Sequence, residues 1–248
     1  MSADARIGER TPPPLVAGTR HPYLRPVDAA TLILLDRSAR QPRVLLGRRH
    51  QRHVFLPGKL VFPGGRVDAG DRAMPVFGTL DSDSERRLLA RVPRPSLVRA
   101  RALALAAIRE TYEETGLMLG DRDAGAPPAR SGSWSAFAQA GVFPSLESVA
   151  FVARAITPPG RPRRFDTRFF LADLGAVAHR TEGMVGPESE LVELVWATVP
   201  EALAAELPEI TRAVLQDLEQ RLAAGNHPRL PVPFYFVRGN RFLRETLD

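Results

Sequence analysis

The chain has 248 residues, of which 44% are hydrophobic, and a formal charge of +6, so its apolar content suffices for one large domain with a substantial core. It contains no cysteine, no apolar run near the roughly 20 residues that span a bilayer, and no apolar centre of a signal peptide within residues 1–27. This composition argues against disulfides, thiolate metal sites and a membrane partner, and it predicts a cytoplasmic protein.

The positive charge comes almost entirely from arginine, with Lys59 the only lysine. The arginines are dispersed along the chain, which argues against a nucleic-acid partner. A planar guanidinium binds two phosphate oxygens at once, so the same residues suit a small anionic substrate. The sequence leaves the oligomeric state open, a homodimer included.

The N-terminal part of the chain predicts an arm followed by three strands. Residues 1–27 contain repeated prolines and predict an extended arm with no core of its own. Apolar runs at 29–35 and 43–47 predict two strands joined by a hairpin turn. A third short strand is predicted at 60–62, and it runs directly into a sharp turn at Gly64 and Gly65.

The middle of the chain predicts an insertion and then a long helix. The stretch 68–97 is polar and rich in proline, which predicts an inserted surface segment with a short helix at 82–91. A strong helical pattern follows at 98–115, and Gly116 ends it. Further patterns predict strands at 148–156, 164–172, 191–197 and 234–237, helices at 200–207 and 209–223, and loops at 121–133 and 181–188. Mixed strands with helices on both sides predict an α/β sandwich in a single domain over residues 28–248.

Three carboxylates share one face of the predicted helix. Glu110, Glu113 and Glu114 stand at positions i, i+3 and i+4, and like charges so close destabilise a helix unless a cation offsets them. Mg²⁺ and Mn²⁺ prefer oxygen ligands. Gly64 and Gly65 allow the backbone to approach such an ion, whereas the alternative for the carboxylates is an ordinary solvated helix face.

The residues around these carboxylates resemble the signature of the Nudix hydrolase superfamily. That signature is a glycine, five residues, a glutamate, seven residues, then Arg-Glu-apolar-x-Glu-Glu-x-Gly-apolar. Gly65 is followed after five residues by Asp71, and residues 109–117 match the second part except at Thr111, where an apolar residue is expected. Between Asp71 and Arg109 lie 37 residues (72–108), an excess of 30 over the signature.

The interrupted signature resembles the coenzyme A diphosphatase-like branch of this superfamily. Residues 46–49 and 55–65 on one side, and residues 157–170 on the other, add to this resemblance, which covers about residues 28–200. It implies a Nudix-type α/β/α sandwich with a mixed β-sheet, an insertion at about 72–97 and C-terminal helices.

The resemblance implies that water attacks the pyrophosphate of a nucleoside diphosphate derivative in a reaction that depends on Mg²⁺ or Mn²⁺. The expected substrate is coenzyme A or acyl-CoA, giving 4′-phosphopantetheine or its acyl form and adenosine 3′,5′-bisphosphate. The alternatives are hydrolysis of ADP-ribose, a dinucleotide or capped RNA. A catalytically silent module that binds a nucleotide as a sensor is a further alternative.

The family pattern also implies roles for the matching residues. Glu110 and Glu114 would bind the metal directly, and Glu113 would bind it directly or through water. The carbonyl group of Gly64 is a further predicted ligand, and Arg109 is predicted to orient a carboxylate as part of the catalytic set.

The remaining candidates lie outside the signature. Glu188 and Glu190, in the loop before the strand at 191–197, are the candidates for the general base. Arg49, Arg164 and Arg168 are predicted to bind the phosphates or nucleotide of the substrate, with ordinary surface charge as the alternative.

Overall fold

The computed structural model describes residues 24–52, 56–128 and 132–248. Of the predicted arm at 1–27, only residues 24–27 fall within these ranges. Residues 53–55, which include the first residue of the segment 55–65, and residues 129–131 of the predicted loop 121–133 also lie outside them.

The elements follow the chain order that the sequence predicts, with additions. The strands are β1 (Val27–Asp36), β2 (Arg43–Arg49), β3 (Leu60–Val61), β4 (Gly64–Arg66), β5 (Leu117–Leu119), β6 (Ala150–Ile156), β7 (Phe165–Asp173), β8 (Val177–Arg180), β9 (Leu191–Thr198), β10 (Val232–Arg238) and β11 (Arg241–Leu247). The helices are α1 (Ala69–Ala73), α2 (Ser82–Leu89), α3 (Leu97–Thr115), α4 (Ser133–Ala140), α5 (Val199–Ala204) and α6 (Glu209–Ala223). Each predicted strand and helix has a counterpart, whereas β4, β5, β8, β11, α1 and α4 were not predicted.

Within the described ranges, nine strands form one sheet. The sheet is mixed, as predicted. Its main order is β11-β10-β6-β7-β1-β2-β3, with β4 paired to β1 and β9 paired to β2. β1 runs parallel to β7 and β10 runs parallel to β6, and the other pairings are antiparallel. β5 and β8 form a separate two-stranded sheet.

The central strand β1 is buried on both faces, which makes the fold a three-layer α/β/α sandwich. Leu32 and Leu34 pack in the core that contains α3, and Ile33 and Leu35 pack in the core that contains Leu215 of α6. This alternation follows from the two-residue period of a strand, and it explains why the β1 sequence is a continuous apolar run.

Helix α3 crosses the core and presents its C-terminal end at the β3–β4 turn. Its N-cap Ser96 accepts a hydrogen bond from the backbone of Arg99, and Gly116 ends it in the left-handed conformation at φ 77°. The carboxylates near the end of the helix lie at the negative end of the helix dipole. The last turn contains no basic residue that would offset this charge. No helix in the ranges described is long and apolar enough to cross a bilayer.

The segment 68–97 differs from the predicted surface insertion, because it contributes to the core. Met74, Leu80 and Leu88 are buried in the same core as α3. Arg87 of α2 is buried as well, and it donates hydrogen bonds to the carbonyl oxygens of Pro228 and Arg229. The polar composition of the segment reflects its outer face, whereas Met74, Leu80 and Leu88 point inward.

Candidate active site

The turn between β3 and β4 lies against the carboxylates at the end of α3. The backbone N–H of Gly64 donates a hydrogen bond to Oε2 of Glu114 at 3.0 Å. A Cβ atom placed on Gly65 would lie 2.5 Å from both carboxylate oxygens of Glu110, so a larger residue would displace that side chain. The two glycines therefore allow the backbone and the carboxylates to approach closely.

Arg109 donates hydrogen bonds to three carboxylates of the cluster. Its guanidinium is buried, and Nε and Nη2 donate to Oδ1 and Oδ2 of Asp71 at 2.8 and 3.0 Å. Its Nη1 donates to both Glu110 and Glu113, each at 2.9 Å. Burial alone would lower the pKa of Arg109, but the ion pairs with these carboxylates raise it above its ordinary value. Arg109 is therefore held charged among three carboxylates.

Asp71, which stands where the signature has a glutamate, binds the guanidinium of Arg109. It is fully buried, at 0% exposure, and each of its oxygens accepts two hydrogen bonds. Oδ1 accepts from Arg109 and from the indole N–H of Trp134, and Oδ2 accepts from Arg109 and from the backbone N–H of Asp68. With its acceptor positions occupied, Asp71 is an anchor for the arginine and a poor candidate for a metal ligand.

Two residues of α4 that the sequence analysis missed also touch the cluster. The hydroxyl of Ser133 donates to Oε1 of Glu113, and Trp134 donates to Asp71 at 3.2 Å. Ser133 and Glu113 are 20 positions apart, and Trp134 and Asp71 are 63 positions apart. Neither contact belongs to the signature, and no local pattern links residues at such separations.

Burial and mutual repulsion perturb the carboxylates. Burial is the main cause that raises the pKa of Glu110 to about 7, although Arg109 partly opposes it. Burial also raises the pKa of Glu114 well above its ordinary range, and the negative charge of Glu190 adds to this effect. Oxygen donors that repel one another in a buried site fit a hard divalent cation.

The carboxylates are at present engaged with protein donors. In the described part of the chain, no group of three histidine or acidic side chains is arranged to hold a metal ion as it stands. Each of the two oxygens of Glu113 accepts one hydrogen bond, from Arg109 and from Ser133 respectively.

Of the two base candidates, the structure brings Glu190 to the cluster. Its charge acts on both Glu110 and Glu114, and its Oε1 accepts a hydrogen bond from Nη2 of Arg49 at 2.5 Å. Glu188 lies two residues earlier in the same loop, and both glutamates are exposed. Arg49, one of the three predicted substrate-binding arginines, is thus also beside the carboxylates.

Arg168 lies elsewhere, which corrects its predicted role as a substrate contact. It is 1% exposed, and its Nη1 lies 3.2 Å from Asp28 and 2.9 Å from Asp166. Asp28 also pairs with Arg99 in the first turn of α3, about 16 Å along the helix from Glu110 at 1.5 Å per residue. Strand alternation turns Arg168 inward, into a buried ion cluster.

Arg164 is also buried and bonded within the protein. Its Nη1 donates to the carbonyl oxygen of Leu24 at 2.6 Å, and its Nε donates to that of Thr157 at 3.0 Å. As for Arg168, these contacts correct the prediction that Arg164 binds substrate. The Arg164 guanidinium instead connects the residues before β1 to the loop between β6 and β7.

Comparison with known proteins supports the resemblance seen in the sequence. No protein-family model matches the chain. The acyl-coenzyme A diphosphatase NUDT19 of Gallus gallus is 28% identical over 210 residues, which cover 64% of this chain and 55% of that protein. The chain thus spans about half the length of this curated relative.

A solved structure gives a fuller match. The crystal structure of a NUDIX hydrolase from Alicyclobacillus acidocaldarius is 29% identical, and the match covers 77% of this chain and 90% of that chain with a TM-score of 0.56. The chain resembles the Nudix hydrolases in both its signature and its fold.

Proposed function

We propose that the chain hydrolyses the pyrophosphate bond of a nucleoside diphosphate derivative in a reaction that depends on Mg²⁺ or Mn²⁺. The observation that carries this proposal is the buried cluster in which Arg109 binds Glu110 and Glu113 while Gly64 binds Glu114. The raised pKa values of Glu110 and Glu114 show that their charged forms are costly in the metal-free protein, and this cost is typical of functional sites.

The proposed metal ligands are Glu110, Glu113 and Glu114, together with the carbonyl group of Gly64. When bound, the metal would supply charge neutralisation at the phosphoryl oxygens and a lowered pKa of a coordinated water. The contribution of Arg109 is to fix the carboxylates in place, because its buried fork is itself anchored by Asp71.

Glu190 is the general base that we propose in preference to Glu188. It lies close enough to Glu110 and Glu114 for its charge to act on both, so a water at the carboxylates would be near it. Arg49 orients the Glu190 carboxylate through their ion pair. Arg49 is also the substrate contact that we retain, since a phosphate arriving at the cluster would compete with Glu190 for its guanidinium.

For the substrate we propose coenzyme A or an acyl-CoA. Two observations support this choice: the interruption of the signature between Asp71 and Arg109, and the similarity to a chicken protein named as an acyl-coenzyme A diphosphatase. The products would be 4′-phosphopantetheine or its acyl form and adenosine 3′,5′-bisphosphate. The cytoplasmic location and the lack of a nucleic-acid partner stay predictions from the sequence, and the oligomeric state stays open.

A substrate panel tests this proposal. Coenzyme A, an acyl-CoA, ADP-ribose, a dinucleotide and capped RNA would each be incubated with the full chain and Mg²⁺, Mn²⁺ or EDTA, and the products identified by mass spectrometry. We expect metal-dependent turnover with the highest kcat/KM for coenzyme A or its thioester. Preference for another member would overturn the proposed substrate. Tight nucleotide binding in calorimetry without hydrolysis of any member would instead favour the sensor.

A further inference from the structure

The N-terminal turn of α4 approaches the carboxylate cluster from outside the Nudix signature. Its first two residues, Ser133 and Trp134, reach two different members of the cluster, Glu113 and Asp71. The carboxylates are thus held by α3, by the β3–β4 turn and by a third element. The signature specifies nothing about this element.

The contact of Ser133 completes the fixation of Glu113. One oxygen of Glu113 accepts a hydrogen bond from Nη1 of Arg109 at 2.9 Å, and the other accepts from the hydroxyl of Ser133. The Glu113 side chain is 32% exposed, compared with 16% for Glu110. A carboxylate that is more exposed is less constrained by packing, so it depends more on hydrogen bonds for its orientation.

Aromatic packing fixes the position from which Ser133 reaches Glu113. Trp134 lies against Phe137 with ring centroids 4.9 Å apart, and Phe137 meets the ring of Tyr112 edge to face at 5.4 Å. Tyr112 is on α3, one residue before Glu113. The indole N–H of Trp134 also donates to Asp71, the anchor of Arg109. α4 is therefore attached to α3 by packing as well as by polar contacts.

We propose that Ser133 is a positioning residue that orients the Glu113 carboxylate for metal binding. This inference rests on the proposed function, because it assumes that Glu113 is a metal ligand. Ser133 touches neither substrate nor reacting atoms and acts through Glu113. Partners of metal ligands typically change metal affinity or activity by about 10- to 100-fold when they are removed.

The test compares Ser133→Ala with Ser135→Ala. Ser135 is a matched control because its hydroxyl donates to the carbonyl oxygen of Gly132 at 2.7 Å in the same turn of α4, away from the carboxylates. Mn²⁺ affinity would be measured by calorimetry without substrate. We expect about tenfold weaker binding for Ser133→Ala and a value close to that of the unmodified chain for Ser135→Ala, with Ser133→Thr restoring most of the loss.

Unchanged Mn²⁺ affinity in Ser133→Ala, or equal losses in Ser133→Ala and Ser135→Ala, would overturn the inference. Failure of Ser133→Thr to restore affinity would also overturn it, because the hydroxyl would then not be responsible. A second measurement uses no metal: Ser133→Ala should shift the unfolding equilibrium on the natural background and not on a Glu113→Ala background, and equal shifts would contradict the proposed contact.

The outcomes also separate this inference from the proposed function. If the unmodified chain binds Mn²⁺ but hydrolyses no member of the substrate panel, the proposed function fails, and the comparison of Mn²⁺ affinities still decides the role of Ser133. If the unmodified chain binds no Mn²⁺, both proposals fail.

Discussion

Replacing Glu110 with glutamine is expected to stabilise the metal-free protein at alkaline pH, although it removes a proposed metal ligand. Burial raises the pKa of Glu110 from 4.5 to about 7. The folded protein therefore holds this proton more tightly than the unfolded chain does. The stability that this proton provides is fully present below pH 4.5 and is lost as the pH rises through about 7.

The size of the effect follows from the pKa difference. A pKa rise of about 2.5, at 1.36 kcal/mol per pKa unit, lowers the free energy of unfolding by about 3 kcal/mol at pH 8. Side-chain relaxation reduces this loss to about 1–3 kcal/mol. Glutamine keeps an oxygen that can accept the hydrogen bond of Arg109 and carries no charge, so the variant should avoid the loss.

Urea unfolding in EDTA at pH 5 and pH 8 measures this difference. The variant should be more stable than the natural chain at pH 8 and close to it at pH 5. Glu219→Gln, at an exposed position of α6, is the control and should change stability little at either pH. Equal or lower stability of Glu110→Gln at pH 8 would refute the reasoning, because the buried charge would then not be costly.

Three further predictions concern the same cluster. Arg109→Lys should lower the free energy of unfolding by about 3–5 kcal/mol in urea, because an ammonium cannot replace the fork and the charge of Asp71 is left buried; a loss below about 1 kcal/mol would contradict this role. Gly65→Ala should lower kcat by about 100-fold in initial-rate assays by displacing Glu110. Gly70→Ala is its control, since a Cβ there would meet Trp134 at an ordinary 3.6 Å, and equal losses in both variants would contradict the reasoning. Calorimetric Mn²⁺ affinity should fall as the pH drops below about 7, because protons compete for Glu110; a flat profile would argue against it.

The sequence predicted the parts of the fold that are coded locally. The apolar run of β1, the helical period of α3 and the stop at Gly116 each depend on residues within a few positions of one another. The grouping of Glu110, Glu113 and Glu114 was predictable for the same reason. β4 was missed because its Gly64 and Gly65 disfavour a strand, and its pairing with β1 overrides that preference.

The parts that could not be predicted depend on contacts between distant positions. The segment 68–97 was predicted as surface from its composition, but a few inward residues such as Met74 and Leu88 decide its burial. Arg168 was predicted to bind substrate because arginine suits phosphate, yet Asp28 and Asp166 supply its partners inside the protein. The contact of Ser133 with the cluster likewise exists only in the folded chain.

The most direct test of the account is the metal-dependent turnover of coenzyme A by the natural chain and by Glu114→Gln. This variant keeps the shape of a buried side chain and removes the charge of a proposed metal ligand. We expect the natural chain to release adenosine 3′,5′-bisphosphate only when Mg²⁺ or Mn²⁺ is present. We expect the folded variant to have a kcat lower by about 100-fold or more. Near-normal turnover by Glu114→Gln, or turnover by the natural chain in EDTA, would contradict the account.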